Sequence, residues 1–339
     1  MSARGGSRAA WLAAAQLLMF APLAGCPGRA RERVTLSNVH LPALGLVFVA
    51  EAKGYFAAHG VTVVQRRFPS GRDALGALAA HEVDAATAFE SPIARRAVWD
   101  RDIQVLTTLH VSGRNTCLVA RADRGIRRVE DLAGKRVGAP RNTNADYLLH
   151  VLLACSPVPE GPPEIVDVAP AHAVEALVSG EIDALAIWEP HLERARQLLG
   201  PGRSVEICSD VYTEMSMLAT RADVLGTRRG ALVKVVRALA DAERLVREHP
   251  DEAYRVLRGE FPDLPEEHLR DAWSRVRPEL GVTHQLAAVL ERESEWFRAE
   301  GRAAGPPLDL ARTLVPDLLA EVDQEAVTFV PPAGAPEAR

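Results

Sequence analysis

ALAAHEVDAATAFE (residues 77–90) and ALVSGEIDALAIWE (residues 176–189) are one pattern written twice at a constant offset of 99. Ala77-Leu78, Glu82, Asp84, Ala85, Phe89 and Glu90 match Ala176-Leu177, Glu181, Asp183, Ala184, Trp188 and Glu189. Each copy runs from the end of a helix into an apolar strand that stops at an aromatic residue and a glutamate. A period this long marks a duplicated domain rather than a solenoid unit.

The flanks of both copies alternate strands and helices. Before the first copy, Val34–Val39 reads as a strand ended by Pro42, and Leu44, Phe48, Ala52 and Tyr55 recur at helical spacing up to Gly60. Val61–Phe68 is a second strand, the loop Pro69-Ser70-Gly71 follows, a helix starts near Asp73, and Val83–Phe89 is the third strand. Around the second copy, strands 135–139, 164–168 and 182–188 alternate with a helix from about Asn144 and another through Leu177. This alternation predicts an α/β protein with two parallel-sheet lobes. Leu118-Val-Ala-Arg-Ala-Asp123 and Leu218-Ala-Thr-Arg-Ala-Asp223 flank the second unit and are expected to be adjacent, paired crossover strands. Beyond Asp223 helical stretches dominate (230–248, 251–258, 265–277, 284–298), and these are expected to pack on lobe one. Lobe one is therefore read as 34–116 plus 217–325, and lobe two as 117–216. Residues 326–339 form a Pro/Ala-rich tail read as disordered.

The N-terminus addresses the chain to a membrane surface. Arg4 and Arg8 precede an apolar run from Ala9 to Ala24, the pattern of an export signal, here 1–25. The run is shorter than the roughly 20 residues a membrane-spanning helix needs. It ends in Leu23-Ala24-Gly25-Cys26, similar to a bacterial lipobox, with Cys26 as the acylated residue and 26–33 as a lipidated linker. Cys117, Cys155 and Cys208 remain, widely spaced and without a CxxC, and read as buried small hydrophobes rather than a disulfide framework or a zinc site. A net charge of −5 over 339 residues argues against a nucleic-acid surface.

Three motifs in order resemble the nitrate, aliphatic sulfonate, taurine and thiamine-precursor binding proteins of ABC importers. The first is Pro42-x-x-Gly45 followed by Val49-Ala-Glu-Ala-Lys-Gly-Tyr-Phe56 and Gly60-Val61. The second is Asp131-Leu-Ala-Gly-Lys-Arg-Val-Gly-Ala-Pro140 leading into Thr143-x-x-Asp146-Tyr147-Leu148. The third is Ala176-Leu177-x-x-Gly180-x-x-Asp183-Ala184 running into Trp188-Glu189-Pro190. The resemblance implies a two-lobed type II periplasmic-binding-protein fold with its ligand in the interlobe cleft. It implies a monomeric solute receptor serving a permease and an ATPase, with no cofactor, no metal and no catalysis. Two departures stand out: His81 where the family has glycine, and Glu90-Ser91-Pro92 where it has smaller residues.

The cleft is expected beyond the carboxyl ends of the strands, where ligands of open parallel sheets gather. Pro42, Ser70 and Ser91 fall there by position. Arg141, Asn142, Thr143 and Asn144 open the second-lobe helix, whose N-terminal N–H groups favour an anion. Thr143-x-x-Asp146 also reads as a capping box, and Asp146 would weaken an anion site. Trp188 is placed to stack on a planar or cationic ligand. Glu90 and Glu189, equivalent in the repeat, are expected to face one gap and so to favour a solute with a basic or multiply donating group. His40 and His110 read as polar lining, because no HxH or HExxH spacing supports metal. No GxSxG, P-loop or GxGxxG is present, which leaves an enzyme or a sensory lipoprotein on the same fold as the alternatives.

Overall fold

Two separate sheets carry the chain in the computed structural model, which describes residues 32–331 apart from 157, 159 and 160. The export signal, Cys26 and the tail beyond residue 331 lie outside the described residues. The expected disorder from residue 326 is corrected: Val327 bridges to Val282 and Phe329 is buried. The first strand already starts at Glu32, inside the expected linker. The strands are β1 (Glu32–Val39), β2 (Val61–Phe68), β3 (Ala85–Phe89), β4 (Ile103–Ser112), β5 (Thr116–Arg121) and β6 (Arg136–Ala139). They continue with β7 (Glu164–Asp167), β8 (Ala184–Trp188), β9 (Ser204–Ile207), β10 (Glu214–Arg221) and β11 (Arg277–Pro278). The first sheet has the order β11-β4-β10-β3-β1-β2 and the second β7-β6-β8-β5-β9. Three neighbours are parallel in each sheet, β2-β1-β3 and β7-β6-β8. An antiparallel strand lies beside them, β10 in the first and β5 in the second. The interior strands β3, β5, β8 and β10 are buried along their whole length, which accounts for their continuous rather than alternating apolar runs.

Helices α1 (Gly45–Ala52), α2 (Tyr55–Ala58), α3 (Gly71–Ala79) and α4 (Glu90–Ala97) follow the first strands. The expected single helix through Tyr55 is broken, because Gly54 takes a left-handed φ of 70° between α1 and α2. Then come α5 (Asn144–Cys155), α6 (Pro170–Ser179), α7 (His191–Leu199), α8 (Ala222–Glu248), α9 (Pro250–Glu260), α10 (Glu266–Ser274) and α11 (His284–Ala299). The long α8 packs on α1, α2 and β2, and α11 on α4.

The repeated strands at 118 and 218 are not adjacent to each other; each enters a different sheet. Strand β5 pairs Thr116 with Trp188, and β10 pairs Ser216 with Phe89, so they hold equivalent places in the two lobes. The chain leaves the first sheet through β4, contributes β5 to the second, and returns as β10. The repeated Arg-x-Asp has a physical role in both. The Arg121 guanidinium binds Asp123 and donates to the carbonyl of Leu177, while Arg221 binds Asp223 and donates to that of Leu78. Leu78 and Leu177 are themselves partners in the 99-residue repeat. Each arginine thus ties a crossing strand to the end of the repeat helix.

His81 and Gly180 close those helices. Gly180 sits at φ 85° and His81 at φ 60°, so the histidine occupies a left-handed position that glycine takes without penalty. The sequence departure at this position is therefore a local strain and not a site feature.

The cysteine reading is corrected by the structure. Cys117 and Cys208 form a disulfide with 4.6 Å between their Cα atoms, and Cys155 is a free, exposed thiol. Cys117 follows the outgoing linker and Cys208 opens the return linker, so the bond pins the two crossings together across 91 residues. Spacing alone hides this, because the partners meet only once β5 and β9 pair. Replacing both cysteines (Cys117→Ala with Cys208→Ala) is expected to destabilise the protein by about 2–4 kcal/mol in urea unfolding. An unchanged unfolding midpoint would contradict this.

Candidate functional site

The strand ends of the two lobes meet ring to ring. Phe89 ends β3 and Trp188 ends β8, and their rings stack with centroids 6.5 Å apart. Ser70, Pro92, Thr143 and Asn144 surround them, and about 10 Å³ of space remains. That is room for one water at most, so the lobes are closed here. Of the expected lining residues, Ser70 and Thr143 are 3% exposed and Asn144 is 2% exposed. Ser70 caps α3, its hydroxyl accepting from the Asp73 amide at 3.2 Å. Pro42 is buried in a short turn next to Leu41, which reaches the seam.

At the N-terminus of α5 the expected capping box does not form. The Thr143 hydroxyl donates back to the Pro140 carbonyl at 2.6 Å. The Asp146 carboxylate accepts from the Asn142 amide at 2.9 Å and the Arg141 guanidinium at 3.1 Å, and it pairs closely with Arg302. Two arginines therefore offset Asp146, whose charge would otherwise oppose an anion at this helix end. Asn142 holds a left-handed φ of 60°, with its side-chain oxygen buried and unpartnered. The Asn144 amide donates to the Thr116 hydroxyl at 2.8 Å and to Glu214 at 2.9 Å.

Glu90 and Glu189 do not share a gap. Glu189 is 1% exposed and sits with Arg196 and Arg275, at 3.4 and 3.5 Å. Burial raises its carboxyl above the ordinary value against those two positive charges. Glu90 is fully buried on another network, accepting from the Tyr212 hydroxyl and the Met215 amide. Burial first, and the charge of Glu214 second, push its carboxyl up to about 8. The neighbouring Ser91 hydroxyl donates to Glu293, which burial and Glu90 hold well above the carboxylate range. His110 is also in this network, its Nε2 2.9 Å from Glu214 and its Nδ1 2.6 Å from the Ser216 hydroxyl. His40 lies apart, stacked on Phe261 and paired with Glu260.

Sequence reading missed Glu214, Tyr212 and Glu293. Glu293 had a visible signal. Leu286, Leu290, Glu293 and Phe297 follow helical spacing on one buried stripe, so a carboxylate interrupts an apolar face. Glu214 had none, because its partners lie about 70 to 104 residues away in sequence, within 110–116 and at 144.

Comparison with known proteins places the chain. The family model described as NMT1/THI5 like matches residues 42–253. A taurine-binding periplasmic protein of Escherichia coli (strain K12) is 33% identical over 143 residues, covering 42% of this chain and 44% of that protein. A binding protein of Brucella abortus (strain 2308) is 24% identical over 210 residues, 60% of this chain and 64% of the relative. The chain thus spans less than two thirds of the length of either. The alkanesulfonate-binding protein of Xanthomonas axonopodis pv. citri bound to MOPS superposes with a TM-score of 0.71 at 17% identity. That match covers 84% of this chain and 98% of the other and establishes the shared two-lobed fold.

The raised carboxyls make stability depend on pH. The folded protein keeps a proton on Glu90 that the unfolded chain releases above about pH 4.5. The favourable contribution is complete below that pH and is lost as pH rises toward 8. Glu90→Gln keeps the neutral form at every pH. Its stability relative to wild type is expected to rise by about 1 kcal/mol or more between pH 5 and pH 8, read from urea unfolding. Parallel pH profiles would contradict the assignment.

Proposed function

Because the chain belongs to the NMT1/THI5-like family, we propose that it is the solute-binding subunit of an ABC importer. It captures a small organic solute between its lobes (a sulfonate, a taurine-like compound, or a pyrimidine- or amine-bearing one) and hands it to a permease and its ATPase. One observation carries this reading. The strand ends of two duplicated lobes converge on a single seam, with the α5 N-terminus, Ser70, Thr143, Asn144 and Trp188 gathered in it. The seam is closed to about 10 Å³, so a solute enters only as the lobes part and is buried as they return.

An anionic group belongs at the start of α5, where amides lack preceding carbonyls and Asp146 is offset by Arg141 and Arg302. The taurine-binding relative supports an anionic solute. The Cys117–Cys208 disulfide suits an oxidising compartment outside the cytoplasm. Leu23–Cys26 supplies a lipid anchor to the membrane surface. No helix among the described residues is long and apolar enough to cross a membrane. The protein works as a monomer and turns nothing over.

A thermal-shift screen of sulfonates, pyrimidines and amines tests the reading. A true solute at a hundred times its Kd adds about 2.7 kcal/mol of stability. Trp188→Ala is expected to weaken that solute about tenfold in calorimetry, through lost stacking. Sustained turnover of any solute, or unchanged affinity in the variant, would count against the proposal. In cells, Cys26→Ser is expected to leave the membrane fraction or to keep its signal uncleaved. A variant that fractionates and processes like wild type would remove the anchor from the account.

A further inference from the structure

The end of α11 and the loop after it clasp the first turns of α5 across the lobes. Trp296, on the first lobe, packs its ring against Tyr147 and His150 of the second, with centroids 5.1 Å apart in each pair. The Arg302 guanidinium lies on the Trp296 ring, 4.1 Å from its centroid, and pairs closely with the Asp146 carboxylate. Only 3% of the Asp146 side chain and 21% of the Arg302 side chain are exposed, so salt screens this pair less than an open surface pair.

Arg302 is set in place by the first lobe and Asp146 by the second. The Arg302 amide donates to the Phe297 carbonyl at 2.8 Å, and the Arg302 carbonyl accepts from the Arg95 guanidinium at 3.0 Å. Neither of these contacts, nor the stacking on Trp296, involves α5. Asp146 is held by the Asn142 amide and the Arg141 guanidinium, both of its own lobe. It shares the first turn of α5 with Asn144, which lines the seam together with Thr143. A parting of the lobes that admits a solute to the seam therefore draws Asp146 away from Arg302. Arg302 does not line the seam, so its effect on a solute there passes through Asp146.

We infer that Arg302 is a positioning residue for solute capture, arriving on Asp146 as the lobes close and offsetting the charge that opposes an anion at the start of α5. In an open form Asp146 keeps Arg141 as its cation, and its carboxylate still occupies the Asn142 amide. A carboxylate beside the first amides of a helix works against an anion there. Closure brings a second arginine from the other lobe, so the start of α5 becomes most favourable to an anion only as the lobes shut. Binding and closure then support each other, because an anion stabilises the shut form and the Arg302–Asp146 pair slows reopening. The inference rests on the receptor reading above, with its anionic group at α5, and adds the residue that couples binding to closure.

The test is a double-variant cycle on the mature full-length chain, read by calorimetry and stopped-flow with ethanesulfonate and inorganic sulfate. Arg302→Gln is expected to weaken whichever anion binds the wild type by about tenfold, chiefly through faster dissociation. Arg302→Lys, which keeps the charge, should lose less. Asp146→Asn removes the opposing charge, so in that background Arg302→Gln should change affinity by less than about twofold. A direct contact with the solute, or a general loosening of the fold, would cost the same in both backgrounds. Circular dichroism checks the fold of each variant, and Arg302→Lys carries the comparison if Arg302→Gln does not fold. Equal losses in the two backgrounds, or an unchanged dissociation rate in the Arg302 variant, overturns the inference and leaves the receptor reading standing. If neither anion binds the wild type or Asp146→Asn, the anionic group at α5 falls and this role of Arg302 with it, and the receptor reading depends on the wider screen.

Discussion

The carboxylate of Glu214 is the joint that ties the two lobes together. It is fully buried at the start of β10, with His110 and Asn115 on one oxygen and Thr116 and Asn144 on the other. These partners come from β4, the outgoing linker, β5 and α5, so one residue touches both lobes and both crossings. A carboxylate withdrawn from water is tolerated only with such a complete set of donors. Removing any donor leaves a buried lone pair unmatched, which fixes where β5 departs and where α5 begins. The charge of Glu214 adds to the burial that raises the Glu90 carboxyl. Glu90 and Glu293 are buried nearby, and holding protons is how the cluster avoids further repulsion.

Around that joint the structure is a duplicated unit with exchanged strands. Each lobe borrows the antiparallel strand beside its repeat from the crossing chain, and Arg121 and Arg221 clamp it there. The disulfide ties the two linkers at the same level. Away from the joint the lobes touch through the Phe89–Trp188 and Tyr147–Trp296 ring pairs and through polar contacts. Arg302 reaches Asp146, the Arg72 guanidinium donates to the Arg141 carbonyl at 2.9 Å, and Arg275 binds Glu206. Salt weakens these ion pairs to the extent that their charges reach solvent.

Much of this was legible in the residues. The 99-residue repeat, the strand at 61–68 and the start of α5 at Asn144 follow from apolar patterning and from Gly and Pro punctuation, which act locally. The LVARAD and LATRAD echo identified the crossing strands, but not that they enter different sheets, because pairing is a long-range outcome. The same limit hid the Cys117–Cys208 bond. The site was half legible. Position along the chain brought Ser70, Thr143, Asn144 and Trp188 together. It could not separate Glu90 from Glu189, since equivalent places in a repeat carry side chains to different neighbours. Glu189 turns to Arg196 and Arg275, and Glu90 to Tyr212.

Closure around a solute is the central claim, and small-angle X-ray scattering of the mature chain measures it directly. With about 10 Å³ at the seam, a solute entering there requires a more open shape. A saturating solute from the binding screen is predicted to contract the radius of gyration toward the value calculated for this closed structure. Scattering curves that superpose with and without a solute bound at saturation would contradict the account.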